Sequence, residues 1–373
     1  MTETSTSRSL TWYAHPAARN WTCAPASGEV QAFHSGLPAY SPTPLAELPR
    51  LAEELGVGRV LAKDESARLG LPAFKALGTS WAVHRILAER ADGGRGAGPL
   101  TLVTATDGNH GRALARMARL FGQRAHVFVP RGLHPAAVSA IAAEGARVTV
   151  VDGPYDDAVR AAAEAVTAPD AVLVQDAGRP GYERIPGWIV EGYSTLFTEI
   201  DAQLAATGAA SPGLLAVPVG VGSLAQAAVT HYRSRPADGP PAALLSVEPE
   251  AAPCVLESLH RREAVSVTTG ETAMAGLNCG IPSHLAWPHL RDGLDAAVTV
   301  TDAESRTAAR DLGALGVPAG PCGAASLAGI RAALTGPDAG TRRAALDLGP
   351  ESTVVLLSTE GNAANPRFLD PRS

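Results

Sequence analysis

Short runs of almost unbroken apolar residues recur along the chain. TLVTA (101–105), AHVFV (125–129), RVTVV (147–151) and AVLVQ (171–175) come first. LLAVPV, just ahead of Gly220, then ALLSV (243–247), AAVTV (296–300) and TVVLL (353–357) follow. Strands covered on both faces read this way, whereas strands with one wet face alternate. Between the runs the period changes to that of a helix. In HGRALARMARLFG the positions Ala113, Leu114, Met117, Ala118 and Phe121 share one face. IPGWIVEGYSTLFTEIDAQLAA carries Trp188, Ile189, Tyr193, Leu196, Phe197 and Ile200 in the same way. It reads as one helical stretch with Pro186 in its first turn. Strand and helix in alternation predict an α/β fold with parallel sheets covered by helices. The Gly- and Pro-rich stretches 90–100 and 235–244 are expected to be surface loops.

Composition narrows the class. A chain of 373 residues exceeds one simple core and suggests two domains or one large α/β unit. Hydrophobic residues make up 46% and charged residues 18%, which describes a globular protein. The formal net charge is −6 and no Lys/Arg run stands out, so neither nucleic acid nor an anionic membrane is expected as a partner. The N-terminal stretch has no apolar signal region and no run is long enough to span a bilayer, so the sequence reads as cytoplasmic. The four cysteines form no C-x-x-C pair, and no metal site is expected.

Four short stretches carry candidate chemistry. Lys75, in PAFKALG, sits among apolar residues at the start of a helical pattern. Desolvation would lower the pKa of such an amine and prepare it for a Schiff base, most commonly with pyridoxal phosphate. A packed stem with its head in water is the ordinary alternative. GVGSLAQA follows an apolar strand and opens a helix, so the amides of Gly220, Val221, Gly222, Ser223 and Leu224 could cradle a phosphate. The same residues would serve an ordinary strand-to-helix turn. TATDGNHG places Asp107, Asn109 and His110 after a strand, where open α/β sheets bind ligands. Asp107 could equally act as a helix cap. VLLSTEGN ends a buried strand with Ser358, Thr359 and Glu360, and the Ser358 hydroxyl could face a heterocycle nitrogen.

Together these stretches resemble the diaminopropionate ammonia-lyase family of fold-type II, tryptophan-synthase-β-like enzymes. YSPTPL (40–45), KDESARLGLPAFKALG (63–78), TATDGNHGR (104–112), GYERIPGWIVEGY (181–193), GVGSLA (220–225), SVEPE (246–250), MAGLNCGIPSHLAW (274–287) and LLSTEGN (356–362) match in order. The resemblance implies pyridoxal 5′-phosphate as cofactor and α,β-elimination of 2,3-diaminopropionate, D and/or L, to pyruvate and ammonia. Related β-elimination, β-replacement, dehydration or epimerisation of another amino acid is the alternative.

It also implies roles for particular residues. Lys75 would carry the cofactor and move the Cα proton, Phe74 would pack beside it, and Asn109 would bond the 3′-oxygen. Gly220, Val221, Gly222, Ser223 and Leu224 would bind the phosphate, and Ser358 would meet the pyridine nitrogen. Asp107 would be a second base opposite Lys75, letting the D-isomer react, and Asp176 would contact the substrate. Cys254 and Cys279 fall where family members carry two cysteines able to bridge, although reduced thiols are ordinary in the cytosol.

The resemblance further implies a homodimer acting on a small amino acid. Residues 1–78 and 191–373 would form a large cofactor-binding domain, and 79–190 a small α/β domain. The chain departs from the family at three places. Arg179 and Pro180 stand where it carries Trp and Glu, Pro321 and Cys322 where relatives tend to carry Glu and Ser, and 358–366 differs from a shorter acidic turn. Arg179 is a possible carboxylate clamp for a larger substrate.

Overall fold

The computed structural model describes residues 11–93, 98–209, 211–234 and 241–365. The loops expected at 90–100 and 235–244 lie in part outside them. Among the described residues the strands are β1 (Trp12–Ala14), β2 (Leu45–Glu47), β3 (Arg59–Asp64), β4 (Thr101–Ala105), β5 (Arg124–Pro130), β6 (Arg147–Val151), β7 (Ala171–Leu173), β8 (Leu214–Pro218), β9 (Ala243–Pro249), β10 (Ala296–Val300) and β11 (Thr353–Ser358). They form two sheets, one of seven strands in the order β1-β10-β9-β8-β11-β3-β2 and one of four in the order β6-β5-β4-β7.

The four-stranded sheet is wholly parallel. The seven-stranded sheet is parallel except at its edges, where β1 runs against β10 and β2 against β3. Both sheets therefore belong to the helix-covered parallel class that the apolar runs predicted. Every expected strand is present. The three that pattern reading missed are β1 and β2, each three residues long, and β3.

β3 was hidden because it ends in Lys63 and Asp64. Lys63 is buried all the same, because its Nζ donates to Glu199 Oε2 at 2.6 Å, Thr43 O at 2.8 Å and Gln203 Oε1 at 2.9 Å. Arg68 completes the cluster with short bonds to Glu65 and Glu199. A buried charge survives only when paired this fully. The cluster fixes the loop that leads from β3 to Lys75.

The largest apolar core lies between the sheets. It joins Leu61, Leu215, Val217, Leu244 and Val355 of one sheet to Leu102, Val127 and Val129 of the other through the helices Lys75–Asp92, Asn109–Leu120 and Ser194–Ala206. The stretch expected to be one helix over 185–206 is two, Arg184–Gly192 and Ser194–Ala206, with Tyr193 between them. Around Tyr193 the backbone bonds tighten to i→i−3, Tyr193 to Val190 and Leu196 to Tyr193. Arg184–Gly192 crosses Lys75–Asp92 at very close range. A Cβ on Gly78 would lie 2.6 Å from Ile189 O, and one on Gly192 2.7 Å from Leu77 O. Only two glycines allow the helix bearing Lys75 to seat this deeply.

Candidate active site

The carboxyl ends of β3, β4, β7, β8 and β11 all deliver residues to one place, as expected for ligand sites of open α/β sheets. Lys75 is the first residue of its helix. A strap running past the end of β11 holds it there. Phe74 N donates to Thr359 O at 3.1 Å, and Gly361 N to Pro72 O at 2.9 Å. Lys75 Nζ donates to Asp176 Oδ2 at 2.6 Å. Asp176 follows β7, and its backbone carbonyl accepts from Ser223 Oγ at 3.1 Å.

This pair corrects one expectation. Burial alone would lower the Lys75 pKa, but the Asp176 carboxylate outweighs burial and holds the ammonium well above the ordinary lysine range. Conversely, burial pushes Asp176 up, yet Lys75 and His110 outweigh it and hold the carboxyl well below the usual range.

Asp107, Gly108, Asn109 and His110 leave β4 in a turn with φ +146° at Gly108, a value that side-chain-bearing residues avoid. Thr106 Oγ1 accepts from Gly108 N and Gly111 N, both at 3.0 Å, and so takes the capping role. Asp107 is exposed and makes no hydrogen bond among the described residues, so its carboxyl is left free for chemistry. Burial, with the Asp176 and Asp156 carboxylates, pushes its pKa up to about 6. His110 Nε2 meets Val174 O at 2.8 Å, while its Nδ1 is buried without a hydrogen bond, 3.9 Å from Asp176 Oδ2. Burial lowers its pKa, against the pull of the Asp176 carboxylate.

β8 runs through Val219 into Gly220, Val221 and Gly222, and the helix Ser223–Arg233 follows. Gly222 has φ +97°, and a Cβ there would lie 2.5 Å from Leu290 Cδ1. The amides of residues 220–224 take no acceptor from the described residues, which leaves a ring of N–H donors at a helix start. Ser358 Oγ, fully buried at the end of β11, also has no partner. An orphaned buried hydroxyl costs about 1–3 kcal/mol and marks a place for a ligand's polar atom. A lysine amine, unpaired amides at a helix start and an orphaned hydroxyl on separate strand ends fit a phosphorylated pyridine aldehyde.

Several expected site residues touch one another: Lys75 bonds Asp176, and Asp176 accepts from Ser223. Phe74 packs its ring 4.8 Å from that of Tyr193. Asn109 Nδ2 donates to Glu360 Oε2 at 2.6 Å. Sequence reasoning missed two members. Tyr193 was read as core, yet its hydroxyl is buried without a partner and feels the Lys75 charge. Tyr155, whose hydroxyl accepts from Gln175 Nε2 at 2.9 Å, feels both Asp107 and Asp176. No local motif surrounds either, because tertiary contact alone puts them there.

Placement bears on two further expectations. Arg179 is exposed, with its guanidinium 5.7 Å over the Tyr182 ring. Cys254 and Cys279 are free thiols on either side of Gly220. Burial pushes Cys279 up to about 12.

Comparison with known proteins agrees with this geometry. Residues 37–360 match the family model for pyridoxal-phosphate dependent enzymes, the class that the fold and the site define. The diaminopropionate ammonia-lyase of Salmonella typhimurium is 38% identical over 292 residues, covering 74% of this chain and 72% of that one. The Escherichia coli K12 enzyme of the same name is 34% identical over 354 residues, covering 88% and 87%. The chain belongs to the diaminopropionate ammonia-lyase family. A crystal structure of the Escherichia coli enzyme, in complex with an aminoacrylate-PLP azomethine reaction intermediate, superposes with a TM-score of 0.85. It is 30% identical, with 96% of each chain covered.

Proposed function

We propose that this protein is a pyridoxal-phosphate-dependent ammonia-lyase that eliminates ammonia from D- and L-2,3-diaminopropionate. One observation carries the reading. Lys75 and Asp176 pair at 2.6 Å, and Asp107 feels the Asp176 carboxylate and is pushed up to about 6. The residues expected to hold the cofactor are Lys75 at its aldehyde, the amides of Gly220, Val221, Gly222, Ser223 and Leu224 at its phosphate, Ser358 at its pyridine nitrogen and Asn109 at its 3′-oxygen. Phe74 would flank it.

Bound there, the cofactor supplies an electron sink for charge developing at the substrate Cα. The chain's own residues manage protons and charge. Lys75 Nζ takes the Cα proton from one isomer and Asp107 takes it from the other. Asp176 pairs with a substrate ammonium, and two carboxylates in one pocket suit a substrate with two amino groups. The amine leaves protonated, so one of these acids must lie within hydrogen-bond reach of it.

The reading includes a small domain at 79–190 inserted into a large one formed by 1–78 and 191–373. The two-sheet topology supports it, since β4 to β7 all fall within 79–190. A cytoplasmic homodimer is included on the family resemblance alone.

The test is pyruvate and ammonia release from each diaminopropionate isomer by the cofactor-loaded protein, with D- and L-serine alongside. Release from both diaminopropionate isomers is expected. A loaded protein silent on both would overturn the reading in favour of replacement or epimerisation chemistry. Replacing Lys75 by Ala is expected to abolish the visible absorbance of the lysine-bound cofactor.

A further inference from the structure

Glu360 brings a third carboxylate to the neighbourhood of Lys75, and the chemistry above gives it no proton to move. It is almost wholly buried, in the strap beyond β11. Four contacts hold it. Its Oε2 accepts from Asn109 Nδ2 at 2.6 Å and its Oε1 from Cys322 N at 3.3 Å. The Cys322 thiol lies close enough to interact with its side chain. Its backbone carbonyl accepts from Gly320 N at 2.9 Å. Two glycines make room for it. A Cβ on Gly320 would lie 3.0 Å from Glu360 Oε1, and one on Gly323 2.8 Å from Glu360 O.

The amide of Asn109 can face the pocket in two ways, N–H first or C=O first, and nothing in its own turn selects between them. Burial raises the Glu360 carboxyl, while the Asn109 and Cys322 N–H groups and the Lys75 charge favour its ionised form; ionised, it accepts and cannot donate, so it selects one. It takes one of the two Nδ2 hydrogens and leaves the other free. An ionised 3′-oxygen beside the amide is stabilised by an N–H and repelled by a C=O.

We propose that Glu360 is a positioning residue that fixes the Asn109 amide with its N–H toward the cofactor's 3′-oxygen, held in turn by the Cys322 segment. This rests on the reading that Asn109 faces that oxygen. Glu360 and Ser358 then divide the work on the ring. Two residues apart on one strap, Ser358 addresses the nitrogen directly and Glu360 addresses the oxygen through Asn109. Cys322 takes part through its backbone N–H and its thiol, so the departure from the family at this position falls on the support of the cofactor.

The test uses full-length loaded enzyme and the ratio of long- to short-wavelength cofactor bands at fixed pH, which reports the ionisation of the 3′-oxygen. Asn109→Ala and Glu360→Ala are each expected to shift that ratio about tenfold toward the short-wavelength form, the loss of one charge-assisted hydrogen bond. The double variant is expected to shift it no further than Asn109→Ala alone. Glu360→Gln keeps the size but has one oxygen to share between Asn109 and Cys322 N, so it is expected to shift the ratio in the same direction as Glu360→Ala, and it guards against a folding defect in the alanine variant. Additive shifts in the double variant, or a Glu360→Ala enzyme with the wild-type ratio, would overturn the proposal. A wild-type protein with no visible band would instead overturn the cofactor reading. A normal ratio in Asn109→Ala would overturn the placement of Asn109, and the proposal would fall with it.

Discussion

Asp107 illustrates how a side chain's surroundings set its task. Thr106 caps the turn, so the Asp107 carboxylate is not spent on backbone N–H groups. Burial and two neighbouring carboxylates raise it to about 6. A base must be ionised to accept a proton, so D-isomer kcat/KM should rise with pH and level off above about 6. Because the carboxyl opens to solvent, screening places the inflection at or somewhat below that value. Asp107→Asn is expected to lose D-isomer turnover by at least about 100-fold while L-isomer turnover stays within about tenfold. Equal losses on both isomers would assign Asp107 another role. Stability carries the opposite sign. A raised carboxyl favours the folded state below the ordinary carboxylate range, and that advantage fades as pH rises through about 6.

Between elements, glycine placement decides how closely the Lys75 helix is held. Gly192→Ala would press a methyl group onto Leu77 O and Gly78 Cα, neither of which is a movable side-chain tip. A loss of about 1–3 kcal/mol in urea unfolding is expected. Gly187→Ala, in the same helix but with only Leu285 Cδ2 at 3.8 Å, should change stability by less than about 1 kcal/mol. Equal costs at the two positions would show that the crossing is not tight.

Glu248 gives a second test at this scale. It is fully buried in β9 and accepts from Val255 N and Leu256 N, both at 2.7 Å, at the start of the helix Cys254–Arg261. Burial dominates and pushes it up to about 8. Its contribution to stability is therefore complete below the usual carboxylate range and is lost as pH rises through about 8. Glu248→Gln should flatten the pH dependence of unfolding between pH 6 and 8, read by denaturant titration at each pH.

The same scale shows what a sequence reveals. Continuous apolar runs gave away the strands buried on both faces, because their environment is uniform along their length. β3 escaped because its last two residues are charged, and the partners that make Lys63 tolerable lie 20 to 140 residues away. The break at Tyr193 follows Gly192, an isolated glycine that weakens a helix but does not by itself mark where it ends. Site residues carried by Gly-rich turns after strands were legible, since turn chemistry is local. Tyr155, at the start of the helix Tyr155–Glu164, and Tyr193, at the break between two helices, reach the site only through tertiary packing.

Over the whole molecule, strand ends from Asp64 to Ser358 converge, so a ligand there must tie the two sheets together. Added pyridoxal phosphate should raise Tm, by about 2.7 kcal/mol of stability at a hundredfold excess over Kd. Ser358→Ala removes an orphaned buried hydroxyl. It should leave the cofactor-free protein as stable or slightly more so, while shrinking the gain from the cofactor. A gain that is unchanged in the variant would place the pyridine nitrogen elsewhere.

The contact between Lys75 and Asp176 has a consequence for how the enzyme comes into being. An ammonium has no lone pair to offer an aldehyde, and Asp176 keeps Lys75 in that form. The newly folded protein thus guards its amine as a salt, safe from stray carbonyl compounds but slow to admit the right one. Maturation would be paced by the departure of a proton. Freed by Asp176→Asn, the cofactor-free protein should capture pyridoxal phosphate several-fold faster than wild type at neutral pH, with the two rates converging in alkali. Identical rates at every pH would mean that maturation is timed by something other than this proton.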